Sequence, residues 1–124
     1  MTHLNLDQRA AQYAQKIVAA GQDGLGNLIT KTIGVLQEQG VYACLLFLFS
    51  RTGNEKILAG NILPHLYNLL KELPAFQQSE INDENGLQFF SDTVCSDLDT
   101  LLLVKDLYEQ TMIYARYGAK AEGK

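Results

Sequence analysis

With 124 residues, 47% of them apolar and 19% charged, the chain has the balance of a globular domain and not of a disordered segment. That length can bury a core without disulfides or metal, so a single domain over residues 1–124 is expected, with residues 1–5 and 122–124 as flexible ends. The formal net charge of −4 argues against a free-standing nucleic-acid binder, which carries a basic excess.

The distribution of charge says more than its sum. Residues 72–99 hold seven acidic side chains and no basic one, whereas residues 1–71 and 100–124 are each slightly basic. An acidic segment of this kind ordinarily forms a solvated edge, and it leaves the remaining surface free to present a basic face. The N-terminus lacks the basic, apolar, small-residue order of a signal peptide. A cytoplasmic protein with reduced Cys44 and Cys95 is therefore expected.

Taken in order, Met1 to Asn5 reads as a loose tail carrying His3. Asn5 or Asp7 can cap a first helix that runs to Ala20, with Leu6, Ala10, Tyr13, Ala14 and Ile17 on one stripe. Gly21 stops it. A second helix is expected over Leu25 to Gln39, burying Leu25, Leu28, Ile29, Ile33 and Leu36. Gly26 and Gly34 weaken it by about 1 kcal/mol each relative to alanine, which suggests close helix approach at Gly34.

Gly40 then precedes the longest apolar run, Val41 to Phe49. The run is too short to span a bilayer, which takes about 20 residues. It is apolar on every side, so it reads as a buried helix around which the others pack. Ser50 to Asn54 supplies turn chemistry. A fourth helix is expected from Glu55 to Leu73, with a kink at Pro64 or a restart capped by Asn61. Residues 75–85 read as a polar surface loop, and Gly86 to Cys95 as a short fifth helix. Ser96, Asp97 and Asp99 offer caps for a last helix over Leu98 to Ala121. There Arg116 and Lys120, four apart, share a direction. Residues 119–124 should fray into solvent. The expected class is all-α, a bundle of five to six helices.

Little of this points to catalysis. His3 and His65 are far apart, and neither H-E-x-x-H, C-x-x-C nor an Asp/His cluster occurs, so neither metal nor cofactor is expected. Gly21, Gly24 and Gly26 lack the strand and the Lys-Ser/Thr of a phosphate loop. Cys44 lies among apolar neighbours, as an inert thiol does. Asp92, Asp97 and Asp99 are better suited to capping than to acid–base work. Binding remains. Arg9, Lys16, Lys31, Arg51, Arg116 and Lys120 lie outside the acidic segment and could each contribute a phosphate contact.

Certain stretches carry a resemblance. Asp7 to Ala14, the Gln39-Gly40-Val41 junction with Ala43, Phe47-Leu48 and Arg51, and the terminal Tyr114-Ala115-Arg116-Tyr117-Gly118-Ala119-Lys120-Ala121 resemble the small α-helical subunit of type III-B CRISPR (Cmr) effector complexes. Where family members often carry a tryptophan before a terminal basic pair, this chain has Tyr114, and the second base of the pair is missing, since Ala115 precedes Arg116. The type III-A small subunit, likewise a small helical bundle, stays open as a sister family.

The resemblance implies a non-catalytic protein that stacks with copies of itself and with other Cmr-type subunits. Its basic face would lie along a guide RNA–target RNA duplex, with Arg9, Lys16, Lys31, Arg51, Arg116 and Lys120 as the candidate contacts and no membrane involved. Two other readings stay open. One is a helical adaptor or homo-oligomer that uses helix 55–73 as its interface. The other is a small enzyme that uses His65 or Cys44.

Overall fold

The structure, a computed structural model, describes residues 5–124; the expected loose start with His3 lies outside them. Among the described residues there are six α-helices and no strand. They are α1 (Leu6–Ala20), α2 (Leu25–Gln39), α3 (Val41–Phe49), α4 (Gly53–Leu70), α5 (Gly86–Phe89) and α6 (Leu98–Ala121). The all-α class expected from the sequence is the class observed.

Local chemistry accounts for the first three boundaries. Asn5 caps α1, its side chain accepting from the Gln8 amide at 3.0 Å. Asp7 instead sits in the first turn and accepts from the Tyr114 hydroxyl of α6. Gly40 serves two helices at once. Its amide donates to Leu36 at 3.1 Å, closing α2, and its carbonyl accepts from Cys44 at 3.1 Å, opening α3. Its φ of +97° is open to glycine and strained for other residues.

Three expectations about packing need correction. First, α3 is not buried all round. It buries Val41, Cys44, Leu45 and Leu48, but Leu46 is 43% exposed. It packs mainly on α2 and α4 and leaves an outer side uncovered. The organising helix is α6, which packs most extensively against α1 and then α2. Second, Gly34 is not a point of close approach, because no atom lies within 4 Å of where its Cβ would be. The tight crossing is at Gly118, against Val18. Third, α4 runs unbroken from Gly53 through Pro64 and ends at Leu70, before Leu73. Asn61 starts no new helix; its amide donates to the Ala20 carbonyl at 3.3 Å. The carbonyl that Pro64 leaves without a partner belongs to Gly60, which is exposed to water.

The stretch after α4 is more structured than its polarity suggests. Pro74–Phe76 forms a 3-10 turn that buries Phe76 against the edge of Phe89, with ring centroids 5.7 Å apart. The aromatic series continues through Phe90 to Tyr108 of α6, whose hydroxyl donates to the Leu66 carbonyl at 2.7 Å. The fifth helix does not stay α-helical to Cys95. From Phe90 to Val94 it widens into a π-turn, with the Cys95 amide reaching back to Phe90 at 2.8 Å. Phe90 and Val94, at the two ends of that turn, are both buried.

Asp97 caps α6, accepting from the Thr100 amide at 3.1 Å. At its other end the expected fraying does not occur. Gly123 takes φ +73°, its amide donates to Lys120 at 3.2 Å, and the Lys124 amide donates to Ala119 at 2.8 Å. This is the Schellman pattern of helix termination. It turns Lys124 back onto the start of α2.

Candidate nucleic-acid interface

The last turns of α6 and the first turns of α2 face each other across a cleft of about 420 Å³. Arg116, Tyr117 and Lys120 come from α6; Gly24, Gly26, Asn27 and Thr30 come from the α2 side. Lys124 ties the two together. Its main-chain oxygen accepts from the Gly24 and Gly26 amides at 3.1 and 3.3 Å, which supplies the cap that no side chain gives α2. Its ammonium donates to the Val18 carbonyl at 2.8 Å and lies 3.5 Å from Glu122. Lys124 is therefore a strut of the cleft more than a free charge.

The charges that remain open are Arg116 and Lys120. Neither takes part in an ion pair among the described residues. The Arg116 guanidinium lies 6.0 Å from the Tyr117 ring centroid, at the outer limit of a cation–π contact. Tyr117 itself is 67% exposed. Among the described residues, no Asp or Glu side chain lines the cleft.

The six basic residues singled out in the sequence fall into three groups. Arg116 and Lys120 share the cleft. Lys31 and Arg51 close on one carboxylate, Glu55, at 3.0 and 3.4 Å. Those hydrogen bonds and charges, Lys31 first, hold the Glu55 carboxyl below its usual range. Arg51 also stacks 3.9 Å from the Phe47 ring centroid and donates from Nε to the Phe47 carbonyl at 3.0 Å. The third group is on α1. Arg9 lies 3.7 Å from Glu72, and the Lys16 ammonium sits 4.4 Å from the Tyr13 ring centroid. Tyr13 in turn donates to Glu72 at 3.2 Å; burial first, and then Glu72, push its phenol upward. Three of the six thus have acidic partners, and the partnering carboxylates come from α4 and the turn after it.

Sequence reasoning did not anticipate the α2 wall of the cleft or the strut at Lys124. The one local signal was Gly123 just past a helix end, the position a Schellman stop favours.

The other candidates are accounted for by packing. Cys44 is buried, and burial pushes its thiol up to about 12. His65 is half-buried; burial first, then the nearby Lys16 charge, holds its imidazole below the usual range. Among the described residues, no three His, Cys, Asp or Glu side chains gather in a way that could hold a metal ion. No described helix is long and apolar enough to cross a membrane. The Leu- and Tyr-rich side of α4, expected as an interface in the adaptor reading, is core: Leu58, Ile62, Leu63, Leu66, Tyr67 and Leu70 are all buried. The chain matches no family model, no curated protein and no solved structure.

Proposed function

We propose that this chain is the non-catalytic small subunit of an RNA-guided type III effector ribonucleoprotein, of the type III-B kind that its sequence resembles. In this reading it works in antiviral defence in the cytoplasm, among other effector subunits and copies of itself. Its basic cleft lies against guide and target RNA. The observation that carries the reading is the pair Arg116 and Lys120, in no ion pair among the described residues, on a cleft that no Asp or Glu side chain lines.

Charge segregation supports it. The acidic segment ends at Asp99, near the start of α6, and Arg116 lies seventeen residues further along the same helix. At 1.5 Å per residue that is about 25 Å, against a screening length of about 8 Å in physiological salt. Asp99, where that segment ends, therefore does little to cancel the field at the cleft. Contacts of this kind follow the RNA backbone and shape, because an A-form duplex hides its base edges in a deep, narrow groove.

Native purification of the tagged chain from its own cells, with mass spectrometry and RNA sequencing, tests the reading. Repeat-derived guide RNA and effector subunits in the eluate are expected. A stoichiometric protein partner with no RNA would overturn it and favour a helical adaptor. The observation on that side is the pair Leu98 and Leu102, one turn apart on α6 and 66% and 50% exposed.

A further inference from the structure

We infer that the cleft between α6 and α2 takes one unpaired nucleotide, its base stacked on Tyr117 and its phosphate held by Arg116 and Lys120. The inference rests on the RNA-binding reading and narrows it from a duplex backbone to a single-stranded or extruded base.

Tyr117 is the first observation. Among the described residues it is the most exposed of the large apolar side chains, in a chain whose Tyr13, Tyr67 and Tyr108 are buried. Its exposed ring is available as a stacking surface. In a duplex each base already stacks within its strand, so no base face is available to it. An unpaired base has such a face, and aromatic stacking of unpaired bases is the general basis of single-strand recognition.

The second observation is the shape and chemistry of the site. A concave space of about 420 Å³ suits a small ligand, since such clefts run from about 300 to 1,000 Å³. Cations on the α6 wall answer a phosphate. On the α2 wall, the Asn27 side chain is exposed and makes no hydrogen bond to the described residues, so both its donor and its acceptor are free. The Thr30 hydroxyl already donates to Gly26 at 2.9 Å and keeps its lone pairs as acceptors. A carboxamide pairs its donor and acceptor with N7 and the N6 amine of adenine. The hydroxyl adds an acceptor for an amine. The favoured base is therefore adenine.

Fluorescence anisotropy on the full chain separates the possibilities, with labelled oligo(A), oligo(U) and a blunt RNA duplex as probes. Oligo(A) should bind more tightly than oligo(U) or the duplex. Tyr117→Ala should weaken oligo(A) binding about ten-fold, the lower part of the range for one lost stacking contact. Tyr117→Phe should stay within about two-fold of wild type, because the ring face is kept. Asn27→Ala should remove the preference for oligo(A) over oligo(U). Duplex binding should change by less than about two-fold in all three variants, as at a peripheral surface position.

If Tyr117→Ala leaves oligo(A) binding unchanged, or weakens the duplex equally, the nucleotide site is wrong while RNA binding stands. If wild type binds none of the three RNAs, the RNA reading itself falls.

Discussion

The Cγ2 methyl of Val18 lies 3.0 Å from the point where a Cβ on Gly118 would stand. This is a tight point in the contact of α1 with α6, the most extensively packed pair of helices. Val18 is buried and β-branched, with one strongly preferred rotamer in a helix, so it has little room to turn away. Gly118→Ala gains about 1 kcal/mol of helix propensity against an overpacking cost of about 1 to 3 kcal/mol, so a net loss of up to about 2 kcal/mol is expected. Gly34→Ala should do the reverse and add about 1 kcal/mol from helix propensity, since nothing stands within 4 Å of the new methyl. Urea unfolding of the two variants checks both signs. A Gly118→Ala variant more stable than wild type would mean that the crossing is looser than described.

Paired and unpaired cations should differ in their effect on RNA. Each phosphate contact contributes about 0.7 to 0.9 to the slope of log affinity against log salt. Replacing Arg116 and Lys120 with glutamate should weaken RNA binding and lower that slope by about 1.5. Lys31→Glu should change it less, because Glu55 already takes that charge at 3.0 Å. A larger effect from Lys31 than from the terminal pair would move the RNA face to the α2–α4 side.

Acidification offers a separate check on Glu55. Its folded-state carboxyl is held below the usual range by Lys31 and then Arg51. A depressed carboxyl adds stability above its unfolded pKa, about 4.3, and loses it as pH falls through the lower folded value. Wild type minus Glu55→Gln should therefore show a stability difference at neutral pH that vanishes in acid. The pair is solvent-exposed, so the effect should be small and salt-sensitive. A difference that grows on acidification would contradict the assignment.

The two thiols should separate cleanly in labelling. With Cys44 pushed up to about 12 by burial, only about one molecule in ten thousand carries its thiolate at pH 8. Cys95 is less buried and only raised. Ellman titration of the native protein should show Cys95 reacting first and Cys44 only as fast as the fold opens. Adding urea should bring the two rates together. Fast native labelling of both would mean that α3 is not seated as described.

What could be read from the sequence was what short-range chemistry decides. Asn5, Gly40 and Asp97 set helix boundaries through bonds to residues three or four away, and those boundaries stand. The apolar run of α3 was legible as a helix. Which of its sides stays open was not, because that depends on how many neighbours reach it. Phe76 looked like part of a polar loop because its partner, Phe89, is thirteen residues away.

The candidate site divides the same way. Arg116 and Lys120 share a side of α6 by spacing alone. The neutralisation of Arg9 by Glu72, and of Lys31 by Glu55, comes from carboxylates 63 and 24 residues distant. The α2 wall of the cleft likewise follows from a tertiary contact that no local pattern encodes.

Lys124 bonds to Gly24 and Gly26 across nearly the whole length of the chain, and the same residue closes α6 through Ala119. Neither helix end can come loose without stripping the other of hydrogen bonds. In the language of local unfolding they form one cooperative unit, closed by bonds between the two ends of the sequence. The two walls of the basic cleft belong to that unit, so its width is set by an all-or-none closure and not by the separate fraying of two helix ends.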